Sequence, residues 1–261
     1  RNKITIDGDL REWAKQDSIV FYNNDNTIVA YSQWNREKLY LALNLYGRSF
    51  ISHYPPGSTS IVGMPLEDEI ELFFDPTHEH REFFSFPDRH FLIAAAGMVF
   101  ERKIFIDNNV YRSDLIINPN VETNVVVDGT LNDDSDDDTS LTIEFAIAWQ
   151  ELGVTPHAGR SMGLEIWNND KDYIDGAYFF SGWSTNASNL SNPSEWGNIE
   201  LHKEGSPLIE SMAAIGAVIV MAAGLYGYRR YRRKNEADNR TVEENDYIRK
   251  AKRIVEEQYT D

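Results

Sequence analysis

The densest run of metal-binding side-chain types is Asn132–Asp138, NDDSDDD. Asp133, Ser135, Asp137 and Glu144 fall at positions 1, 3, 5 and 12 of the count used by EF-hand calcium loops. The sixth position turns sharply and needs glycine, but Asp138 stands there. A solvated hairpin tip therefore fits better than a calcium loop. Carboxylate oxygens still suit calcium, so Asp133, Asp137 and Glu144 are weak surface candidates for that cation, the one cofactor the residues suggest. His78 and His80 lie with Glu79 and Glu82 just after Asp75-Pro76. Alternate residues of a strand share a face, so both imidazoles could meet one metal ion. No third ligand is identifiable, and paired polar residues in an exposed turn are the better reading. No nucleophile elbow, phosphate-binding glycine loop or zinc-protease helix occurs. A glycosidase acid pair is defined by separation in space, so carboxylates along a sequence assign none. The chain has no cysteine, which excludes disulfides, thiolate metal sites and cysteine nucleophiles.

The elements that must position such residues fall on two sides of one stretch. Leu208–Tyr228, LIESMAAIGAVIVMAAGLYGY, has no charged residue after Glu210 and is followed by RRYRRK. A bilayer core needs about 20 mostly apolar residues as a helix, and a basic block is expected on the cytoplasmic flank. The sequence thus predicts a single-pass membrane protein, with residues 1–207 extracytoplasmic and residues 229–261 cytoplasmic. A chain that starts at Arg1 rather than Met reads as a fragment whose signal peptide is already absent. Residues 1–207 hold 15 basic and 33 acidic side chains, net −18, against +2 in residues 229–261. An outer domain this acidic repels phosphates and is not expected to bind nucleic acid.

Residues 1–203 read as short strands between polar turns, with no long amphipathic helix. Thr27–Trp34, Lys38–Tyr46, Glu69–Phe74, Phe91–Ala95, Met98–Phe105, Val110–Ile117, Val121–Val127, Leu141–Ile147, Met162–Trp167 and Asn198–His202 are rich in β-branched, aliphatic or aromatic residues. Strands at this spacing predict an all-β sandwich of around ten strands.

Several motifs occur in register. Ile6-Asp7-Gly8 precedes Trp13-Ala14, and Trp34 precedes Leu39-Tyr40-Leu41. Asp68-Glu69-Ile70-Glu71-Leu72-Phe73-Phe74-Asp75 forms an acidic strand, and Thr142–Trp149 a second one containing Glu144. Gly159-Arg160, Met162-Gly163-Leu164 and Asn168-Asn169-Asp170 follow, then Trp183-Ser184 and Asn192-Pro193-Ser194-Glu195-Trp196-Gly197 with Ile199 and Leu201. Over residues 3–202 this series resembles the family 9 carbohydrate-binding modules, the DOMON-like β-sandwiches. The resemblance implies a saccharide ligand and no catalysis. It also implies two aromatic side chains that clamp a sugar ring, at positions where this chain has Pro65 and Leu190. Trp34, Trp149, Trp183 and Trp196 match family tryptophans that look structural. Two loops are the expected source of a ligand site: Phe50–Leu66 with His53 and Tyr54, and Trp183–Glu195 with Asn186 and Asn189. Asn169 and Asp170 of the matched segment join them. Tyr54 could replace a missing platform, and Asn, Asp and Ser supply directional hydrogen bonds.

Residues 204–207 read as a linker and 208–228 as the transmembrane helix. Ala213 with Ala217 and Ala223 with Gly227 are small residues four apart, a spacing that could pair two anchors in a homodimer. Residues 229–245 form a basic juxtamembrane segment and linker. Thr241 and Glu244 then make a capping box, and Tyr247, Ile248, Ala251, Ile254 and Val255 an apolar stripe. Residues 246–261 thus read as a short cytoplasmic amphipathic helix. Residues 247–261 resemble the first helix of AraC-type DNA-binding domains; a basic amphipathic helix, a dimerising coil or a membrane-surface segment fits equally. The leading expectation is a saccharide-binding outer domain of a membrane sensor or transcriptional regulator. The alternatives are a tethered adhesion protein and an accessory domain of glycoside-degrading machinery.

Overall fold

The structure is a computed structural model that describes residues 4–13, 18–23, 26–53, 67–107, 110–133, 135, 137–171 and 178–202. The chain divides into two compact units, Arg1–Glu210 and Ser211–Asp261, and all described residues belong to the first. Among them no helix is long and apolar enough to cross a membrane. The expected linker, anchor, basic segment and tail helix lie outside the described residues.

Among the described residues twelve strands run β1 (Ser18–Asn23), β2 (Asn26–Trp34), β3 (Lys38–Tyr46), β4 (Glu69–Asp75), β5 (Arg89–Ala94) and β6 (Val99–Asp107). They continue as β7 (Val110–Ile116), β8 (Val121–Asp128), β9 (Ser140–Ala148), β10 (Arg160–Lys171), β11 (Tyr178–Gly182) and β12 (Gly197–Leu201). They form two antiparallel sheets. The first has the order β1-β2-β3-β9-β8; the second has β11-β10-β4-β5-β6-β7, with β12 also paired to β10. The sandwich read from the sequence is present, with two strands beyond the ten expected. β1 and β11 are the additions, and β10 runs four residues past Trp167.

The core lies between the sheets because apolar residues alternate inward along facing strands. Leu39, Leu41, Leu43 and Leu45 of β3 join Leu141, Ile143, Phe145 and Ile147 of β9. Across from them stand Ile70, Leu72 and Phe74 of β4, Phe91 and Ile93 of β5, and Met162, Leu164 and Ile166 of β10. Phe145 meets Phe74 and Phe91 at ring-centroid distances of 6.3 and 5.3 Å, joining the two layers. Trp34 and Trp149 pack edge to face at 6.3 Å within this core, as structural tryptophans.

The N-terminal segment covers the outer face of the first sheet. A 3₁₀ turn, Leu10–Trp13, places the fully buried Trp13 near Tyr31, with rings 6.5 Å apart. Glu144, paired with Ala42 on that face, accepts hydrogen bonds from the Asp7 and Gly8 amides at 2.8 and 2.6 Å. Its other oxygen accepts from Trp13 Nε1 at 2.8 Å. Gly8 is required twice over: its φ is +86°, and a Cβ there would stand 2.5 Å from Val126 Cγ2.

Candidate functional site

The outward face of the second sheet carries the polar chemistry. Register places Phe180 of β11, Asn169 of β10, Glu69 of β4 and Ala94 of β5 in one row. Gly182, Trp167, Glu71 and Leu92 make the next, followed by Phe73, His90 and Arg102 with Glu165. Neighbouring strands lie about 4.8 Å apart, so Phe180 and Glu69 stand roughly 10 Å apart at the backbone.

Asn169 ties these rows together. Its Nδ2 donates to Glu69 Oε1 at 2.8 Å and Glu71 Oε1 at 2.7 Å, while its Oδ1 accepts from Trp167 Nε1 at 2.9 Å. Glu71 Oε2 lies 2.5 Å from His90 Nε2, and Arg102 Nε donates to His90 Nδ1 at 3.3 Å. Since Nδ1 accepts, the proton on neutral His90 sits on Nε2 and is donated to Glu71. Burial pushes the His90 pKa down, against the pull of Glu71, and so favours that neutral ring. For Glu71, burial opposes ionisation, but the bonds from His90 and Asn169 and the nearby charges outweigh it and hold the pKa below the ordinary value. Glu69 goes the other way: burial, then repulsion from Glu71, pushes it up to about 7. Two bridged carboxyls therefore differ in protonation at neutral pH.

Two connections cover part of this face. Residues 77–88 and 183–196 are joined by Phe84 N–H to Ser191 O at 2.8 Å and Ser194 N–H to Arg81 O at 3.0 Å. Phe84 and Leu190 pack against the buried cluster Phe73, Trp167 and Trp196, and Trp196 Nε1 donates to Leu190 O at 3.0 Å. Buried Glu165 accepts from the Ser184 amide at 3.1 Å and from its hydroxyl, fixing the start of the second connection. Burial pushes the Glu165 carboxyl up to about 7. Beyond this cover Phe180 is 49% exposed, and its ring stacks on Trp167 at 5.9 Å and 24°. A flat aromatic backed by a buried indole, on the same face as carboxyl acceptors, can hold a ring with an apolar face and hydroxyl edges.

The expected site residues fall in different places. Asn169 lies on the outward face, with its amide engaged by protein groups. Asp170, the next residue of the strand, is buried and turns to the opposite side. His53 is exposed; its amide donates to Glu67 Oε1 at 2.6 Å. Tyr54 and Pro65 lie outside the described residues. Asn186 is exposed on the second connection, where its Oδ1 accepts from the Ser188 amide at 3.0 Å, and Asn189 N–H donates to Asn186 O at 2.9 Å. Leu190 sits over Trp167 and Phe73 but offers no ring to stack. Among the calcium candidates, Asp133 accepts from the Ser135 amide, Asp137 pairs with Arg48 at 3.0 Å, and Glu144 is engaged by the N-terminal segment. Among the described residues no three His, Asp or Glu side chains form a metal-holding group. Sequence reasoning missed Glu69, Glu71, His90, Arg102, Trp167 and Phe180. The alternation of acidic and apolar residues in β4 was the available signal, since it puts Glu69 and Glu71 on one face.

The model of the carbohydrate family 9 binding domain-like family matches residues 33–204. Among solved structures the fold is similar to a family 9 carbohydrate-binding module from Caldicellulosiruptor kristjanssonii in complex with glucose. It has 20% identity and a TM-score of 0.56, over 80% of this chain and 96% of that one. The module from the same organism in complex with cellotriose gives 19% and 0.56, over 78% and 92%. No curated protein matches the chain. A family match spanning three strands of the first sheet, the whole second sheet and the acidic face of β4 leads to one conclusion: this chain belongs to the carbohydrate family 9 binding domain-like family.

Proposed function

We propose that residues 1–203 are a non-catalytic saccharide-binding domain whose binding face is the outward side of the second sheet. The observation that carries the reading is Phe180 stacked on Trp167 in the same row system as Glu69, Glu71 and Asn169. Phe180 supplies the platform in place of the family's aromatic clamp, and the glutamates accept from sugar hydroxyls. The glucose and cellotriose held by the two modules of similar fold make β-linked glucose the first ligand class to test. The domain is held outside a membrane by the anchor 208–228, with residues 229–261 in the cytoplasm, and reports ligand occupancy to a cytoplasmic, transcription-regulating domain. The apolar stretch followed by five basic residues within 229–234 supports that placement. Two anchors paired through their small residues would carry the signal, provided the ligand binds the two states with different affinity.

Calorimetry of the purified chain with glucose and cellotriose, preceded by a glycan array, tests the binding. Phe180→Ala should weaken it roughly tenfold while leaving the fold intact. No binding to any glycan, or equal binding by the variant, overturns the assignment. Signalling is tested separately by the ligand dependence of transcription in cells.

A further inference from the structure

The turn after β4 holds a second constellation, one row further along the outward face and apart from Phe180. His78 Nε2 lies 2.8 Å from His80 Nε2 and 2.8 Å from Asn198 Oδ1. The sequence favoured a polar turn over a shared strand face for the two histidines; both lie outside the strands, each with a left-handed backbone, φ +57° and +49°. Such conformations are costly for residues with a Cβ and need support. Asp75 supplies it: Oδ2 accepts from the His80 amide at 3.0 Å, and Oδ1 accepts from the Glu79 amide at 3.2 Å and Thr77 Oγ1 at 3.4 Å. Gly163 makes room for that carboxylate, since a Cβ there would stand 2.9 Å from Asp75 Cβ. The two rings stand edge to face, centroids 4.2 Å apart, with their Nε2 atoms side by side on a scaffold that continues into β12 through Asn198.

Proton accounting at His78 shows what the arrangement lacks. An imidazole nitrogen has one in-plane site, either a proton or a lone pair. His78 Nε2 has two polar partners at 2.8 Å, so one hydrogen bond must be missing or a single proton must be shared between them. A cation removes the conflict, because all three atoms can then act as electron-pair donors. The spacing also fits. With metal–nitrogen bonds of about 2.0–2.1 Å, two ligands at the right angle of an octahedral or square-planar shell stand about 2.9 Å apart, and a tetrahedral zinc needs the pair to open to about 3.3 Å.

We propose that His78 Nε2, His80 Nε2 and Asn198 Oδ1 form a binding site for a divalent transition metal. Imidazole selects zinc, nickel or copper over calcium and magnesium, which take oxygen shells. Water completes the coordination. The ion would staple the start of the connection 77–88 to β12, and so fix one border of the cover that carries Phe84.

Zinc titration of the full chain by calorimetry tests the site, with excess calcium present as a competitor. The expected result is one zinc per chain that calcium does not displace. His78→Ala/His80→Ala should abolish that equivalent, and Asn198→Ala should weaken it several-fold. X-ray absorption of the zinc-loaded wild type should show two imidazole nitrogens with oxygen ligands, a readout that needs no variant. Absence of zinc binding, retention of the equivalent in the double variant, or a shell without imidazole pairs overturns the proposal.

Discussion

Replacing Glu144 with alanine gives the sharpest test of how the N-terminal segment is held. The carboxylate is fully buried and accepts three hydrogen bonds, from the Asp7 and Gly8 amides and Trp13 Nε1. Alanine leaves all three donors without their acceptor. The two amides are part-buried and water reaches them, so each loses a charge-assisted bond of about 1.5 kcal/mol. The Trp13 indole N–H is buried and has no such escape, which costs a further 1–3 kcal/mol or so. The sum is about 4–6 kcal/mol, a large part of the roughly 5–15 kcal/mol that holds a domain folded. Glu144→Gln keeps one oxygen but turns an NH2 group toward a donor, and should lose about half as much. Urea unfolding followed by tryptophan fluorescence measures this directly. At about 2 kcal/mol per molar urea, the alanine variant should unfold about 2–3 M earlier than the wild type. A loss below about 1 kcal/mol would show that the segment is not tied down through Glu144 and would refute the reasoning. Calcium should not alter either midpoint, because the carboxylate is committed to protein donors.

The raised carboxyls predict a pH response of definite sign. Asp68, pushed by burial to about 8, and Glu69 and Glu165, pushed to about 7, bind protons in the folded state that the unfolded chain has released. Their stabilising effect is fully present below about pH 4 and is lost as pH rises through 7–8, at no more than about 1.4 kcal/mol per pH unit for each group. Urea midpoints should therefore fall between pH 5.5 and 7.5, and a rise over that range would contradict the assignment. Gly182→Ala should destabilise by about 2–3 kcal/mol, because its Cβ would stand 2.6 Å from the Thr185 carbonyl and 2.6 Å from Glu165 Oε1. A thermal midpoint equal to wild type would show that this turn gives way freely. Asn169→Ala should cost about 2–3 kcal/mol even without ligand, since Trp167 Nε1 loses its acceptor and two glutamates lose their shared donor. A loss of saccharide affinity with unchanged stability would make Asn169 a ligand contact instead.

The sandwich was legible because its strands alternate: β3 matches its sequence bounds residue for residue, and β4 and β9 differ by one or two residues. Two strands escaped for different reasons. β1, SIVFYN, carries a regular inward pattern, so its signal is present in the sequence. β11, YFFSG, has no alternation to read, because aromatics stand on both of its faces and none is fully buried. β10 extends past the expected end at Trp167, through the polar residues Asn168-Asn169-Asp170-Lys171. The chain stays extended there because Asn169 bonds across to β4 and the Asn168 carbonyl accepts from Asn23. The site was less legible than the fold. Glu69, Glu71 and Asn169 meet across about a hundred residues of sequence, and only strand order brings them together. His78 and His80 stood out by spacing, yet their meeting depends on two left-handed residues and on Asn198, 120 positions away.

The two half-length neighbours of β10 also determine how the domain bears load. β11 pairs with Trp167–Lys171 and β12 with Arg160–Leu164, so the connection 183–196 leaves and rejoins the sheet between them. The polypeptide departs from the described domain through β12. Tension on the chain beyond His202 therefore falls first on five backbone pairs, beginning at Leu201 and Arg160. When those part, Trp196 loses its downstream tether while β10 stays paired to β4 and the core still joins the two sheets. The sheet edge is in effect a release catch, which lets pulling bare the acidic face before the core yields.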